Sequence, residues 1–313
     1  MARRGLAVVA VGFAALGAAF GALGCAETQA RPRAEDSARA MAFVPTCTRP
    51  LRTDVRPTAD AGTQRRGRVT GSLRDDDIIG LAFPTYDALN KQLPRSARAC
   101  DGRALLDHPY LAGLGEGGPA PIFLPEGRTT LSSASDGLKI AWIRTHTLGD
   151  GLEAGPLFLL HVADGGVEIV AAGVHRGLPA RTRLSTARLG TEIAIVATED
   201  PCVGLPKTSP CLAQTTVLVP RSGELVLATV VDLERRFSRV GGEPGFAGNV
   251  HYRLGTAVTY LAGGLRVLEQ VDALDDAGRT LRRAEAERAF ALRPDGTLQT
   301  DDPPLWTRVV GGP

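Results

Sequence analysis

The chain has 313 residues, 43% of them apolar, enough for one large domain or two small ones with a true core. Lysine and arginine (36) nearly balance aspartate and glutamate (34), and the formal charge of +2 is no electrostatic footprint for nucleic acid. Aromatic residues, at 5%, are thin for a carbohydrate- or base-stacking surface.

The N-terminus opens with Met1-Ala2-Arg3-Arg4-Gly5, runs through an apolar stretch from Leu6 to Leu23, and ends in Ala22-Leu23-Gly24-Cys25. A basic start, an apolar middle and small residues at the exit form the pattern of an export signal. The ending resembles the lipobox of bacterial lipoproteins, although Ala22 stands where that family prefers leucine. The resemblance implies acylation of Cys25 as the mature N-terminus and attachment to the bilayer through its acyl chains. Ala26 follows, where aspartate would favour inner-membrane retention in that family, so the implied location is the outer membrane. Two alternatives stay open: an ordinary signal peptide cut after Ala26, and an uncleaved anchor barely long enough to span. Loss of Arg3 and Arg4 with the signal would leave a neutral mature chain.

Residues 1–24 are therefore expected to be signal, and 25–40 the acylated cysteine with a flexible polar tether. Residues 41–121 form an N-terminal mixed region. Its polar part, Thr48 to Asp77, cannot bury much alone. Ile78 to Leu93 is the first strongly apolar segment, and Tyr86, Leu89 and Leu93 predict a short helix that Pro84 precedes or opens. The Gly/Pro-rich loop from Leu111 to Pro121 is a candidate boundary before a main β domain, 122–313.

Four cysteines remain beyond Cys25: Cys47, Cys100, Cys202 and Cys211. An even count in an exported chain implies disulfides, with three possible connectivities. Proximity favours Cys47–Cys100 with Cys202–Cys211, closures worth about 4 and about 3 kcal/mol on a loop-entropy model. In the second pair, Gly, Pro and Ser between strand-like flanks predict a bridged β-excursion that presents Lys207 to solvent. No cysteine pair has zinc-site spacing.

From Ile122 onward, apolar runs alternate with turn signals at Asp164-Gly165-Gly166, Ser222-Gly223, Gly263-Gly264 and Asp295-Gly296. Such turns supply the positive φ of tight hairpins. The expected class is mainly β, an antiparallel β-sandwich or irregular two-sheet domain with a short N-terminal helix. An irregular propeller is the alternative, disfavoured because Gly165, Gly223, Gly264 and Gly296 are spaced 58, 41 and 32 residues apart, with no fixed period. The stretch from Arg279 to Arg293 alternates at Ala284, Ala286, Phe290 and Leu292 as a strand does, while its Ala, Glu and Arg content would also suit a helix; the hairpin turn that follows tips the reading to strand.

Chemistry-bearing motifs are scarce. His108, His146, His161, His175 and His251 are scattered, and Ser132, Ser133 and Ser135 form no nucleophile elbow. His161 reads as a residue paired beside the core. Asp75-Asp76-Asp77 lacks the alternating ligands of a calcium loop and reads as a solvated turn. Arg65-Arg66-Gly67-Arg68 is a basic patch, Trp142 a core residue, and Trp306 a pin for the C-terminus. No cofactor loop appears. The expectation is an envelope lipoprotein acting as a binding or assembly module, with the bilayer and envelope proteins as partners and no nucleic acid. A secreted, lipid-anchored hydrolase with a catalytic site assembled from dispersed Asp, Glu and His residues is the alternative.

Overall fold

The computed structural model describes residues 45–50, 73–111, 120–134, 137–163, 166–241 and 248–311. The expected signal segment, Cys25, the expected tether and the Arg65 to Arg68 patch lie outside these residues, as do Ser135 and most of the Gly/Pro-rich loop.

The fold is mainly β. Two antiparallel meanders build one large sheet. The first contains β4 (Thr129–Ser133), β5 (Leu138–Ile143), β7 (Glu153–Ala163) and β8 (Gly166–Gly177), in that spatial order. β1 (Cys47–Pro50) pairs with the start of β8, and β6 (His146–Thr147) with β7. The second runs in chain order through β9 (Thr182–Leu189), β10 (Glu192–Glu199), β11 (Cys211–Arg221), β12 (Glu224–Arg239), β13 (Val250–Leu261), β14 (Gly264–Leu274), β15 (Thr280–Leu292) and β16 (Leu298–Gln299). A separate two-stranded sheet joins β2 (Gln92–Leu93) to β3 (Ile122–Phe123).

The meanders meet at a single parallel pairing of Glu224 with Ala172, where the Ala172 N–H donates to the Gly223 carbonyl at 3.0 Å. The β11–β12 turn makes this junction possible. Ser222 (φ 48°) and Gly223 (φ 79°) both take positive φ, as a two-residue hairpin turn matched to strand twist requires. Gly173 lets the strands close up, because a Cβ there would stand 2.7 Å from the Leu225 Cβ. The order does not close into a barrel, nor does it divide into propeller blades.

Alternation of side chains along the strands creates stacked cores. On β5, Ala141 and Ile143 face one way, joining a core with Ile78, Ile79, Phe83 and Leu124. Leu138, Ile140 and Trp142 face the other way, against Ile193, Ile195 and Leu218 of β10 and β11. β10 is buried on both faces, and its Ala194 joins a third core with Val217, Val267 and Phe290, formed as the second meander curls over itself. Helix α2 (Leu305–Val309) closes a fourth core over Tyr252, Leu254 and Val271.

The N-terminal helix is α1 (Asp75–Ala82), and it lies before Pro84 instead of after it. Phe83 is extended, as the residue before proline prefers, so Pro84 terminates the helix and Leu89 is 90% exposed in the turns that follow. The aspartate run is correspondingly the first helical turn and not a solvated loop. Its charges suit the positive end of the helix, and each finds a partner. Gly127 N–H donates to Asp75, Tyr86 and Lys91 both bond Asp76, and the Arg74 N–H reaches Asp77.

Candidate functional site

Cys47 and Cys100 are bonded with Cα atoms 6.0 Å apart, and Cys202 and Cys211 with Cα atoms 5.5 Å apart. The second bridge borders a cleft. Pairing of β11 with β12 stops at Cys211 opposite Arg236, because the chain leaves the ladder there for the excursion. β12 continues to Arg239 with β13 beside it. The gap left on its other edge opens into a cleft of about 780 Å³ between Pro210–Leu212, the end of β12, and Trp306 and Val310 at the C-terminus.

Strand alternation puts Arg235, Phe237 and Arg239 on the face covered by α2. The Arg235 guanidinium lies 4.9 Å from the centre of the Trp306 ring, a cation–π contact that orients both groups. Arg239 lies 5.9 Å from the Tyr252 ring centre and donates to the Val310 carbonyl at 3.2 Å. Arg236, also lining the cleft, pairs with Glu234 at 2.7 Å and donates to the Pro206 carbonyl at 3.1 Å, tying the excursion to β12. The charged lining groups are all arginines, set among Leu212, Phe237, Trp306 and Val310. Guanidinium forks match carboxylate and phosphate oxygens, and the apolar walls suit a hydrocarbon part. Among the described residues, neither a nucleophilic side chain nor a carboxylate stands in this lining.

Trp306 is held in the wall by a buried ionic contact on the neighbouring strands. Glu269, 2% exposed, accepts from Arg288 at 2.5 Å and from the Leu305 N–H at 2.8 Å, fixing the first residue of α2.

A second constellation sits on β12 and β13. Ser238 and His251 face each other across the pair, with Oγ 2.8 Å from Nδ1. His251 Nε2 meets Asp276 Oδ1 at 3.1 Å, and Asn249 donates to the same oxygen. These hydrogen bonds hold the Asp276 carboxyl below its usual range. Sequence spacing gave no sign of this line, because the contacts arise from strand register. Ser238 Oγ also lies 3.3 Å from the Thr208 carbonyl, and Asp276 is 60% exposed.

The remaining candidates have local roles. His161 pairs with Glu168 at 3.4 Å, and His146 with the Thr145 hydroxyl at 2.8 Å. His108 lies beside the first 3₁₀ turn, and Ser132 and Ser133 lie on β4. His175 is buried edge-on to Trp142, with ring centres 4.8 Å apart. Lys207 is exposed on the excursion. Among the described residues, no group of three or more His, Cys, Asp or Glu side chains is placed to hold a metal ion. Nor is any helix there long and apolar enough to cross a membrane. Compared with protein-family models, curated protein sequences and solved structures, the chain matches none.

Proposed function

We propose that this chain is a lipid-anchored protein of the bacterial outer membrane that binds an anionic ligand with an apolar part. The observation that carries the binding role is the arginine-lined, aromatic-walled cleft between the excursion, β12 and α2. Octyl phosphate is a suitable probe, with octylammonium as its tail-matched cation. Full-length protein in phosphatidylcholine nanodiscs should bind the phosphate saturably by calorimetry and by a change in tryptophan emission. Charge-assisted hydrogen bonds contribute about 1.5–3 kcal/mol each, so the Arg235→Ala/Arg239→Ala double variant should weaken binding at least about tenfold. Equal binding of octylammonium, or an unchanged double variant, would refute the reading.

The anchor rests on the residues ending at Cys25. Cells fed an alkyne-tagged fatty acid should label the wild type and not Cys25→Ala. Equal labelling of both would refute acylation at Cys25, and labelling of neither would favour cleavage after Ala26 or an uncleaved segment.

The Ser238–His251–Asp276 line supports a second reading, that of a hydrolase. It ranks below binding because none of the three residues lines the cleft.

A further inference from the structure

The excursion closed by Cys202–Cys211 carries aliphatic side chains outward: Val203 is 52% and Leu205 44% exposed. Two turns fill it, with Leu205 N–H donating to the Cys202 carbonyl and Ser209 N–H to that of Pro206. The bridge fixes its base, while Arg236 and the Ser238 hydroxyl hold its carbonyls against β12. So restrained, the loop cannot fold its apolar residues inward. Nearby, Phe237 is 43% and Val240 84% exposed at the end of β12. Lys207 is exposed on the same loop, and Arg235, Arg236 and Arg239 of β12 line the adjoining cleft, with Asp232 beside Arg235 and Glu234 paired with Arg236.

Protruding aliphatic points with an exposed lysine on the same loop and an excess of arginine beside them match a charged bilayer surface. The aliphatic side chains enter the acyl boundary while the Lys207 ammonium remains at the phosphates. A protein partner would be better served by a continuous apolar patch depleted of charge at its centre. We infer that the excursion and the end of β12 dock non-covalently onto a bilayer rich in phosphatidylglycerol-type headgroups. This contact is separate from acylation, and it borders the cleft, whose lining includes Phe237 and the arginines of β12. Acylation holds the chain at a membrane, and the excursion determines which surface meets the lipid.

The test places a reporter at the tip, Leu205→Trp, in full-length protein in nanodiscs with brominated acyl chains. Emission, compared with the parent protein containing Trp142 and Trp306, should be quenched at least twofold more in discs containing phosphatidylglycerol than in phosphatidylcholine alone. High salt, which screens surface charge, should remove the difference, and so should Lys207→Glu or Val203→Ser. No bromine quenching in anionic discs, or quenching indifferent to Lys207→Glu, overturns the inference. Shielding from a soluble quencher without bromine quenching indicates a protein partner and also overturns it. Octyl phosphate binding should survive Val203→Ser. If it is lost together with lipid contact, the loop merely shapes the cleft and docking is rejected; if octyl phosphate fails on the parent protein while bromine quenching persists, only the cleft reading falls.

Discussion

At the scale of single residues, His175 shows what a buried titratable group does to stability. Among the described residues no group hydrogen-bonds its Nε2, and burial lowers its pKa to about 4 from the ordinary 6.5. The folded state therefore holds the ring neutral where the unfolded chain would protonate it. Above pH 6.5 both states are neutral and the residue contributes no pH dependence. As pH falls from 6.5 to about 4 the unfolded state gains the proton first, and stability drops by about 3 kcal/mol in total. Glu199, whose carboxyl is raised by burial, acts in the opposite sense over the acidic end of that window. Urea unfolding at a series of pH values should show the loss in wild type and a flatter profile in His175→Phe. An identical slope in both would assign the acid sensitivity elsewhere. The sequence displayed His175 within an apolar run but did not show its burial, which depends on Trp142 from another strand.

At the scale of elements, the hairpins were legible because their turns are local. Gly223 and Gly296 take the positive φ that the turn chemistry predicts, and the alternation from Arg279 to Arg293 does form β15. Helix α1 was misplaced because three aspartates look like a turn until their position on a helix start is known. The remaining apolar positions between Pro84 and Leu93 mimic a helical period while forming turns and β2. The cleft was not legible at all. Arg235 and Arg239 belong to no motif in the sequence, and Trp306 read as a pin for the C-terminus. They meet because β13 and β14 carry the chain back under α2, and because Glu269 fixes the start of that helix. The tertiary contact that builds the wall is an ionic one buried between strands, with Glu269 in phase with the buried Val267 and Val271 and Arg288 in phase with the buried Phe290; strand alternation places the two charges inward but does not pair them.

At the scale of the whole molecule, the β body depends on how the two meanders are joined. They share one formal pairing, yet Leu138, Ile140 and Trp142 of the first are packed on Ile193, Ile195 and Leu218 of the second. A shared core of this kind makes separate unfolding of either meander expose apolar surface on both, so they should melt as one unit. Gly173 sits where the backbones come closest. A Cβ there would meet the Leu225 Cβ at 2.7 Å and its carbonyl oxygen at 3.2 Å, and neither is the free end of a flexible side chain. The strands would have to separate, loosening the Ala172–Gly223 hydrogen bond and the packing of Leu225. Overpacking of this sort typically destabilises by about 1–3 kcal/mol. Gly173→Ala should therefore lower the urea midpoint while circular dichroism and tryptophan emission still report one coincident transition. Two separated transitions in wild type or variant would show that the meanders are independent units, and an unchanged midpoint would show that the junction has room to spare. Because the cleft is built wholly on the second meander and α2, a folded Gly173→Ala protein should retain octyl phosphate binding, separating the joint that stabilises the body from the surface that recognises the ligand.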